Sequence, residues 1–161
     1  MSNGMKNPFT ILRLLPGVRR PSSIDAMPVV CDGFWLGKGF SAITFFGTVV
    51  AASASVVTLL ERSDSTLLRH EMIHLRQAQA THDSWLLFYA LYLWHYLRAL
   101  PQNRKMRNAA YWINPFELEA YHHERMAGYL EGCKKNGAIR WRVYARMTPK
   151  ERMMRYYPHY A

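Results

Sequence analysis

The sequence predicts an α+β domain, because strand-forming residues come first along the chain and helix-forming residues follow. Residues 29–60 are rich in Val, Ile, Thr and Phe, which favour strands, and glycines within this stretch indicate turns. From Thr66 to Ala80 the chain contains good helix formers and neither glycine nor proline. With 161 residues the chain is long enough for one domain with a buried core. We therefore expect a small N-terminal sheet followed by helices.

The composition divides the chain into three parts. Residues 1–27 contain three prolines and are expected to form an irregular lead-in. Residues 28–136 carry the strand and helix patterns and are expected to form the domain itself. Residues 137–161 are basic and rich in tyrosine, and we expect them to pack on the domain as a tail, with a short helix after Thr148-Pro149.

The uncharged run at residues 39–60 permits two interpretations. Its 22 residues are enough to cross a bilayer. However, Gly47 and several serines interrupt it, and its β-branched residues are typical of strands joined by a turn. Further turn signals precede it at Asp32-Gly33 and in residues 37–39. We favour two strands, at about 42–51 and 55–60, and membrane association is the less favoured alternative.

The sequence favours a cytoplasmic location. The N-terminal apolar run, residues 8–15, is short and broken by Arg13, so it does not resemble the core of a secretory signal. Cys31 and Cys133 are the only cysteines, and two isolated thiols suit a reducing compartment.

Three helices are predicted after the strands. Ser63-Asp64-Ser65 offers an N-cap for the helix at 66–80. A second, strongly aromatic helix is expected from about Asp83 to Leu100, before Pro101. Asn114-Pro115 is a favourable start for a third helix, which we expect to continue to about Glu131.

The first of these helices contains the sequence His70-Glu71-Met72-Ile73-His74. Residues four apart lie on one face of a helix, so both imidazoles are expected to point at one spot. This H-E-x-x-H spacing supplies two of the nitrogen ligands that zinc prefers. Glu71 is rotated about 100° from His70, so it can accept a proton from water beside the metal. We therefore predict a Zn²⁺ site with Glu71 as the general base.

A third protein ligand must come from elsewhere in the chain. The metzincin pattern, with a further histidine six residues on, is excluded because that position is Ala80. No glutamate occurs between His74 and Asn114, so the first candidates are Glu117 and Glu119. Residues two apart point to opposite sides of a helix, and only one of the two can face the metal.

H-E-x-x-H followed by a helical E-x-x-A motif resembles the gluzincin group of zinc metallopeptidases. In particular, it is similar to the CAAX-prenyl-protease type and its small bacterial relatives of unassigned role, over about residues 64–131. The resemblance implies a zincin-like fold, a zinc-dependent peptidase activity and Glu117, three residues before Ala120, as the third ligand beside His70 and His74. The family usually has an aspartate directly after that alanine, where it orients a ligand histidine, but this chain has Tyr121.

Further residues are candidates for supporting roles at this site. Gln77 is expected on the metal-facing side of its helix, and Glu119 is the alternative ligand. Tyr111 and Tyr121 are candidate oxyanion stabilisers. His122 and His123 are candidates for groups that support the ligands or donate in the transition state, although ordinary helix-surface histidines are the favoured interpretation.

The net charge of +10 favours acidic partners, but no nucleic-acid motif accompanies it, so nucleic acid is not a favoured partner. The expected partner is a peptide or protein substrate, aligned by the edge of the sheet around residues 43–50. The alternative function is a non-catalytic basic binding module that retains a zinc site and binds nucleic acid, a membrane surface or a protein. The sequence contains no signal for an oligomeric state.

Overall fold

A computed structural model describes residues 19–31, 40–133 and 140–160. The turn signals at 32–33 and 37–39, and the lead-in before residue 19, lie outside the described residues. The described strands are β1 (Val29–Cys31), β2 (Ala42–Phe45) and β3 (Thr48–Ala51). The α-helices follow in chain order: α1 (Ala54–Leu60), α2 (Thr66–Ala80), α3 (Trp85–Ala99), α4 (Ala109–Trp112), α5 (Pro115–His123), α6 (Tyr129–Cys133), α7 (Trp141–Ala145) and α8 (Pro149–Tyr156). The predicted α+β class is confirmed.

The described part of the chain forms one mixed sheet in the order β1-β3-β2. β3 is central and buried along its whole length, parallel to β1 and antiparallel to β2. β2 is therefore an edge strand, and Ile43 on it is exposed. The prediction that residues 43–50 form one sheet edge is wrong, because 48–50 belong to the central strand.

Two of the strand predictions need correction. The single strand expected at 42–51 is a hairpin that turns at Phe46 and Gly47, whose φ angles of 47° and 83° suit a two-residue hairpin loop. The strand expected at 55–60 is the helix α1, for which the side chain of Ser53 caps the amide of Val56. The local cap overrides the β-propensity of the two valines, which is a weak and context-dependent preference.

The helices agree more closely with expectation. α2 has the predicted bounds, and Ser65 Oγ accepts a hydrogen bond from the Leu68 amide at its start. Asn114 caps α5 as expected, but that helix ends at His123 rather than near Glu131. The chain then turns through Gly128, at φ 81°, a left-handed conformation that glycine adopts without steric cost. No helix among the described residues is long and apolar enough to cross a membrane.

The core lies between the sheet and the helices α2, α3 and α5. Phe116 on α5 is fully buried and stacks on Trp141 with 4.5 Å between the ring centroids. α7 therefore packs directly against the centre of the core. The predicted short helix after Thr148-Pro149 is present as α8, with a capping box between Thr148 and Glu151.

Candidate metal centre

α2 and α5 bring three potential metal ligands together. His70 and His74 lie one turn apart on α2, Glu117 lies in the first turn of α5, and all three are buried. The Nε2 atom of His70 lies 3.3 Å from Glu117 Oε2, and the Nε2 atom of His74 lies 3.5 Å from Glu117 Oε1. The three candidate ligand atoms are all within 4.8 Å of one another, so this group could hold a metal ion.

The outer nitrogens of both histidines have acceptors of their own. His70 Nδ1 lies 2.8 Å from Glu124 Oε2, and His74 Nδ1 lies 2.8 Å from Gln77 Oε1. A carboxylate and an amide oxygen both accept, so each Nδ1 donates its proton outward. When such a ring is neutral, its Nε2 lone pair faces Glu117, which is the tautomer that a metal ligand requires.

The electrostatics of the group also suit a cation. Burial alone would lower the pKa of His70, but the hydrogen bonds that its ring donates to Glu117 and Glu124 raise it to about 10, so the ring itself carries a positive charge when no metal ion is bound. Burial would raise the pKa of Glu117, but the charge of His74 and the contacts with His70 hold it at about 2. Among the described residues, the ring of His70, 3.3 Å away, is the one group that can satisfy the buried Oε2 of Glu117. A buried carboxylate oxygen in that state is costly unless a proton or a metal ion satisfies it.

Glu124 is a site residue that the sequence reasoning missed. It lies seven residues after Glu117, which is two turns along the same helix face, and it forms the C-cap of α5. Its carboxylate contacts His70 from the side opposite Glu117. The i, i+7 spacing from Glu117 was the available signal for it.

Tyr121 contacts the site through its ring rather than through an acidic group. The ring packs edge-on against the imidazole of His70, with 4.6 Å between the centroids. Its hydroxyl lies 2.9 Å from that of Tyr111. Burial raises the pKa of Tyr121 to about 12, and it raises that of Tyr111 further, so both phenols stay protonated and can donate. Their place beside His70 keeps both as candidates for oxyanion contacts.

Glu119 lies on the other side of α5, away from the metal group. It is fully buried, and its carboxylate accepts hydrogen bonds from side-chain and backbone donors. The donors are Gln77 Nε2, the Tyr129 hydroxyl, and the backbone amides of Arg140 and Trp141. Glu119 is therefore not part of the ligand group, and it connects α2 and α5 to the start of α7. Gln77 links the two clusters, because its amide oxygen contacts His74.

Glu71 is buried beside the ligand group and is oriented by the sheet. The hydroxyl of Thr44, on the edge strand β2, donates to Glu71 Oε2 at 2.6 Å. The carbonyl of Thr44 in turn accepts from the hydroxyl of Tyr89 at 3.0 Å. The sheet, through Thr44, and α3, through Tyr89, therefore hold the carboxylate of Glu71, the predicted general base, in one orientation.

Glu71 and His70 open onto two adjoining cavities of about 330 and 440 Å³. The larger one extends between β2 and α3 and is mostly aromatic and aliphatic, with Phe88, Tyr89 and Leu93 along its wall. Tyr111 lines both cavities. His70 lines both cavities, and His74 and Glu117 line the larger one.

Tyr92 is a second site residue that the sequence reasoning missed. Its hydroxyl donates to Glu117 Oε1 at 2.8 Å and so fixes the carboxylate from α3. Burial, followed by the charge of Glu117, raises the pKa of Tyr92 well above its usual value, so the phenol remains a donor. In the sequence, Tyr92 is one of many aromatic residues on α3, and nothing distinguishes it from its neighbours.

His122 and His123 do not reach the metal group. The ring of His122 stacks on Tyr144, and that of His123 stacks on Tyr129. Each Nδ1 hydrogen-bonds the carbonyl four residues earlier in the helix. The interpretation of both as ordinary helix histidines fits these contacts.

Comparison of the chain with known protein families, with curated proteins and with solved structures found no match.

Proposed function

We propose that the protein is a zinc-dependent peptidase of the gluzincin type, with His70, His74 and Glu117 as its zinc ligands. The observation that carries the proposal is the arrangement of the two imidazoles, each with Nδ1 bonded outward and Nε2 facing one buried carboxylate. Ligand atoms at 2.0–2.1 Å from a tetrahedral zinc ion are about 3.4 Å apart. The observed N–O separations of 3.3 and 3.5 Å fit that geometry.

A zinc ion held by His70, His74 and Glu117 would supply a Lewis acid that lowers the pKa of a bound water to about 7. Glu71 then acts as the general base, because its carboxylate lies in the cleft next to His70 and is oriented by Thr44. The same carboxyl group can pass the proton to the leaving amine. Tyr111, whose phenol stays protonated, is the donor that we assign to the developing oxyanion.

The edge strand β2 is the element that would align an extended substrate. Ser41 bonds to Ala52 across the hairpin, and pairing alternates along an antiparallel ladder, so Ala42 and Thr44 turn their backbone groups away from β3. Tyr89 already occupies the carbonyl of Thr44. Ala42 is therefore the position at which we expect a substrate backbone to pair.

The test is Glu71→Gln in the full chain, with zinc content and hydrolysis of an unfolded protein substrate measured together. Because Glu71 is not a ligand, we expect zinc content to be unchanged and hydrolysis to fall by at least about a hundredfold, as removal of a general base does. The matched control is Glu61→Gln. Glu61 is an exposed glutamate at the C-cap of α1, so this change should alter neither the zinc content nor the hydrolysis rate.

Two results would contradict the proposal. If the wild-type protein holds no zinc after loading and dialysis, the proposed metal site is wrong. If it binds zinc but hydrolyses no unfolded substrate, the proposed peptidase activity is wrong and the non-catalytic binding module is favoured.

A further inference from the structure

The solvent-facing side of α3 is apolar from Leu86 to Leu97. Leu86 is 76% exposed, Leu93 54%, Trp94 56% and Leu97 50%. Residues 86, 90, 93 and 97 follow the spacing of one helix face, so these side chains form a continuous stripe about 17 Å long. Soluble proteins rarely expose an apolar surface of this extent unless something binds to it. We name this stripe the α3 face.

Basic residues follow the α3 face along the chain. Four exposed cations occur at the end of α3 and just after it: Arg98, Arg104, Lys105 and Arg107. The guanidinium of Arg98 lies over the ring of Trp94, at 5.7 Å from its centroid. The sequence contains no aspartate or glutamate from residue 84 to residue 116, so no acidic group of this stretch offsets the positive charge.

We propose that the α3 face docks on an anionic lipid surface, with α3 lying along the bilayer and not across it. Binding of a protein surface to a bilayer increases with the apolar area that it buries and with the attraction of its cations to anionic lipids, and the α3 face and the cations after it offer both. The 15 residues of α3 span about 22 Å, which is less than the thickness of a bilayer core. A second copy of this chain would bring the same positive charge to the interface, whereas anionic headgroups neutralise it.

The docking face adjoins the candidate metal centre. Leu93 is part of the α3 face and also lines the larger cavity beside Glu71. Docking would therefore place the mouth of that cavity at the lipid surface. The docking proposal itself depends only on the α3 face and its cations, and it stands whether or not the cavity hydrolyses peptides.

The experiment is co-sedimentation of the full-length protein with vesicles of phosphatidylcholine, with and without phosphatidylserine, at low and high salt. We expect binding only to the anionic vesicles, and less of it at high salt. Changing the three cations after α3 to glutamine should weaken binding about a hundredfold, at about 1 kcal/mol for each charge. The variants are Arg104→Gln, Lys105→Gln and Arg107→Gln combined. Their matched control combines three exposed cations elsewhere, Arg125→Gln, Arg146→Gln and Lys150→Gln.

The apolar part of the face is tested by the double variant Leu86→Gln and Leu97→Gln. Both side chains are exposed, so the fold should be unaffected, and partitioning into anionic vesicles should fall at least about tenfold. Leu59→Gln, at an exposed leucine on α1, is the control. Brominated lipids should quench tryptophan fluorescence in the wild type, and Trp94→Phe should remove that quenching.

Three results would overturn the proposal. The first is wild-type protein that remains in the supernatant with anionic vesicles at low salt. The second is an equal loss of binding in the control variants. The third is self-association that the double leucine variant abolishes, without vesicle binding, because a second copy of the chain would then be the occupant of the α3 face.

Discussion

Glu124 accepts a hydrogen bond from Nδ1 of His70 at 2.8 Å and thereby directs the opposite ring nitrogen toward Glu117. The resemblance to gluzincins implies that an aspartate directly after Ala120 has this task, and in this chain that position is Tyr121. Glu124, three residues further on and so on the same side of α5, supplies the carboxylate instead. Tyr121 then packs its ring against the imidazole that Glu124 orients.

The first prediction concerns this pair. Glu124→Gln keeps an acceptor near His70 but removes the charge that makes the imidazole a stronger ligand, and removal of such partners typically lowers metal affinity about 10–100-fold. We expect a loss in that range for zinc, measured by competition with a chromogenic chelator. Glu131→Gln, at an exposed glutamate in α6, is the control and should leave the affinity unchanged. Equal affinities of wild type and Glu124→Gln would show that the contact does not support metal binding.

The second prediction separates the two glutamates that the sequence left as alternatives. Glu117→Gln should abolish stoichiometric zinc binding, because it removes the one carboxylate of the ligand group. Glu119→Gln should retain zinc but lower the free energy of unfolding by about 1–3 kcal/mol, because one amide cannot accept from all the buried donors around Glu119. Zinc content and urea unfolding measure the two effects. Loss of zinc from a folded Glu119→Gln protein, with zinc retained in Glu117→Gln, would reverse the assignment.

Local sequence patterns predicted part of this site, and long-range contacts supplied the remainder. The spacing of His70 and His74 is fixed by helix geometry, and Asn114-Pro115 marks the start of the helix that carries Glu117, so both could be read from neighbouring residues. Tyr92 reaches Glu117 only because α3 packs beside α5, and no local pattern encodes that packing.

Local patterns also predicted only part of the fold. The bounds of α2 were predicted correctly because its N-cap and its composition both favour a helix. Residues 55–60 have strand-forming side chains, and the prediction failed there because the N-cap at Ser53 starts a helix instead. The contact of Glu119 with the amides of Arg140 and Trp141 joins segments about 20 residues apart, so the predicted tail could not be placed from its composition alone.

The third prediction concerns removal of the metal. A ligand that binds only the folded state stabilises it by about 2.7 kcal/mol at a hundredfold excess over Kd. In a domain of this size that free energy corresponds to an increase in Tm of about 5–10 °C. We therefore expect zinc to raise the Tm of the metal-free protein by that amount in differential scanning calorimetry, and a chelator to reverse it. In Glu117→Gln the same addition should leave Tm unchanged. A shift of equal size in that variant would mean that zinc binds elsewhere.

The last prediction is a pH dependence of stability that arises away from the metal centre. His95 on α3 is 7% exposed and lies among Phe116, Trp141 and the cations Arg152 and Arg98. Burial, and then the charges of the two arginines, lower its pKa from 6.5 to about 4. Between these values the unfolded chain binds a proton at His95 and the folded chain does not, so folding becomes less favourable as the pH falls through that window.

The size of this effect follows from the shift, and one variant isolates it. If the ring of His95 were completely desolvated, this shift would lower the free energy of unfolding by about 3 kcal/mol between pH 6.5 and 4. Partial hydration of the ring reduces the expected loss to about 1–3 kcal/mol. His95→Gln cannot titrate, so its free energy of unfolding should decline less than that of the wild type between pH 6.5 and 4. Because carboxylates and other histidines titrate in both proteins, the difference between the two urea-unfolding curves is the quantity to measure. His159→Gln, at an exposed histidine, should follow the wild type, and parallel curves for His95→Gln would show that His95 takes up its proton equally in both states.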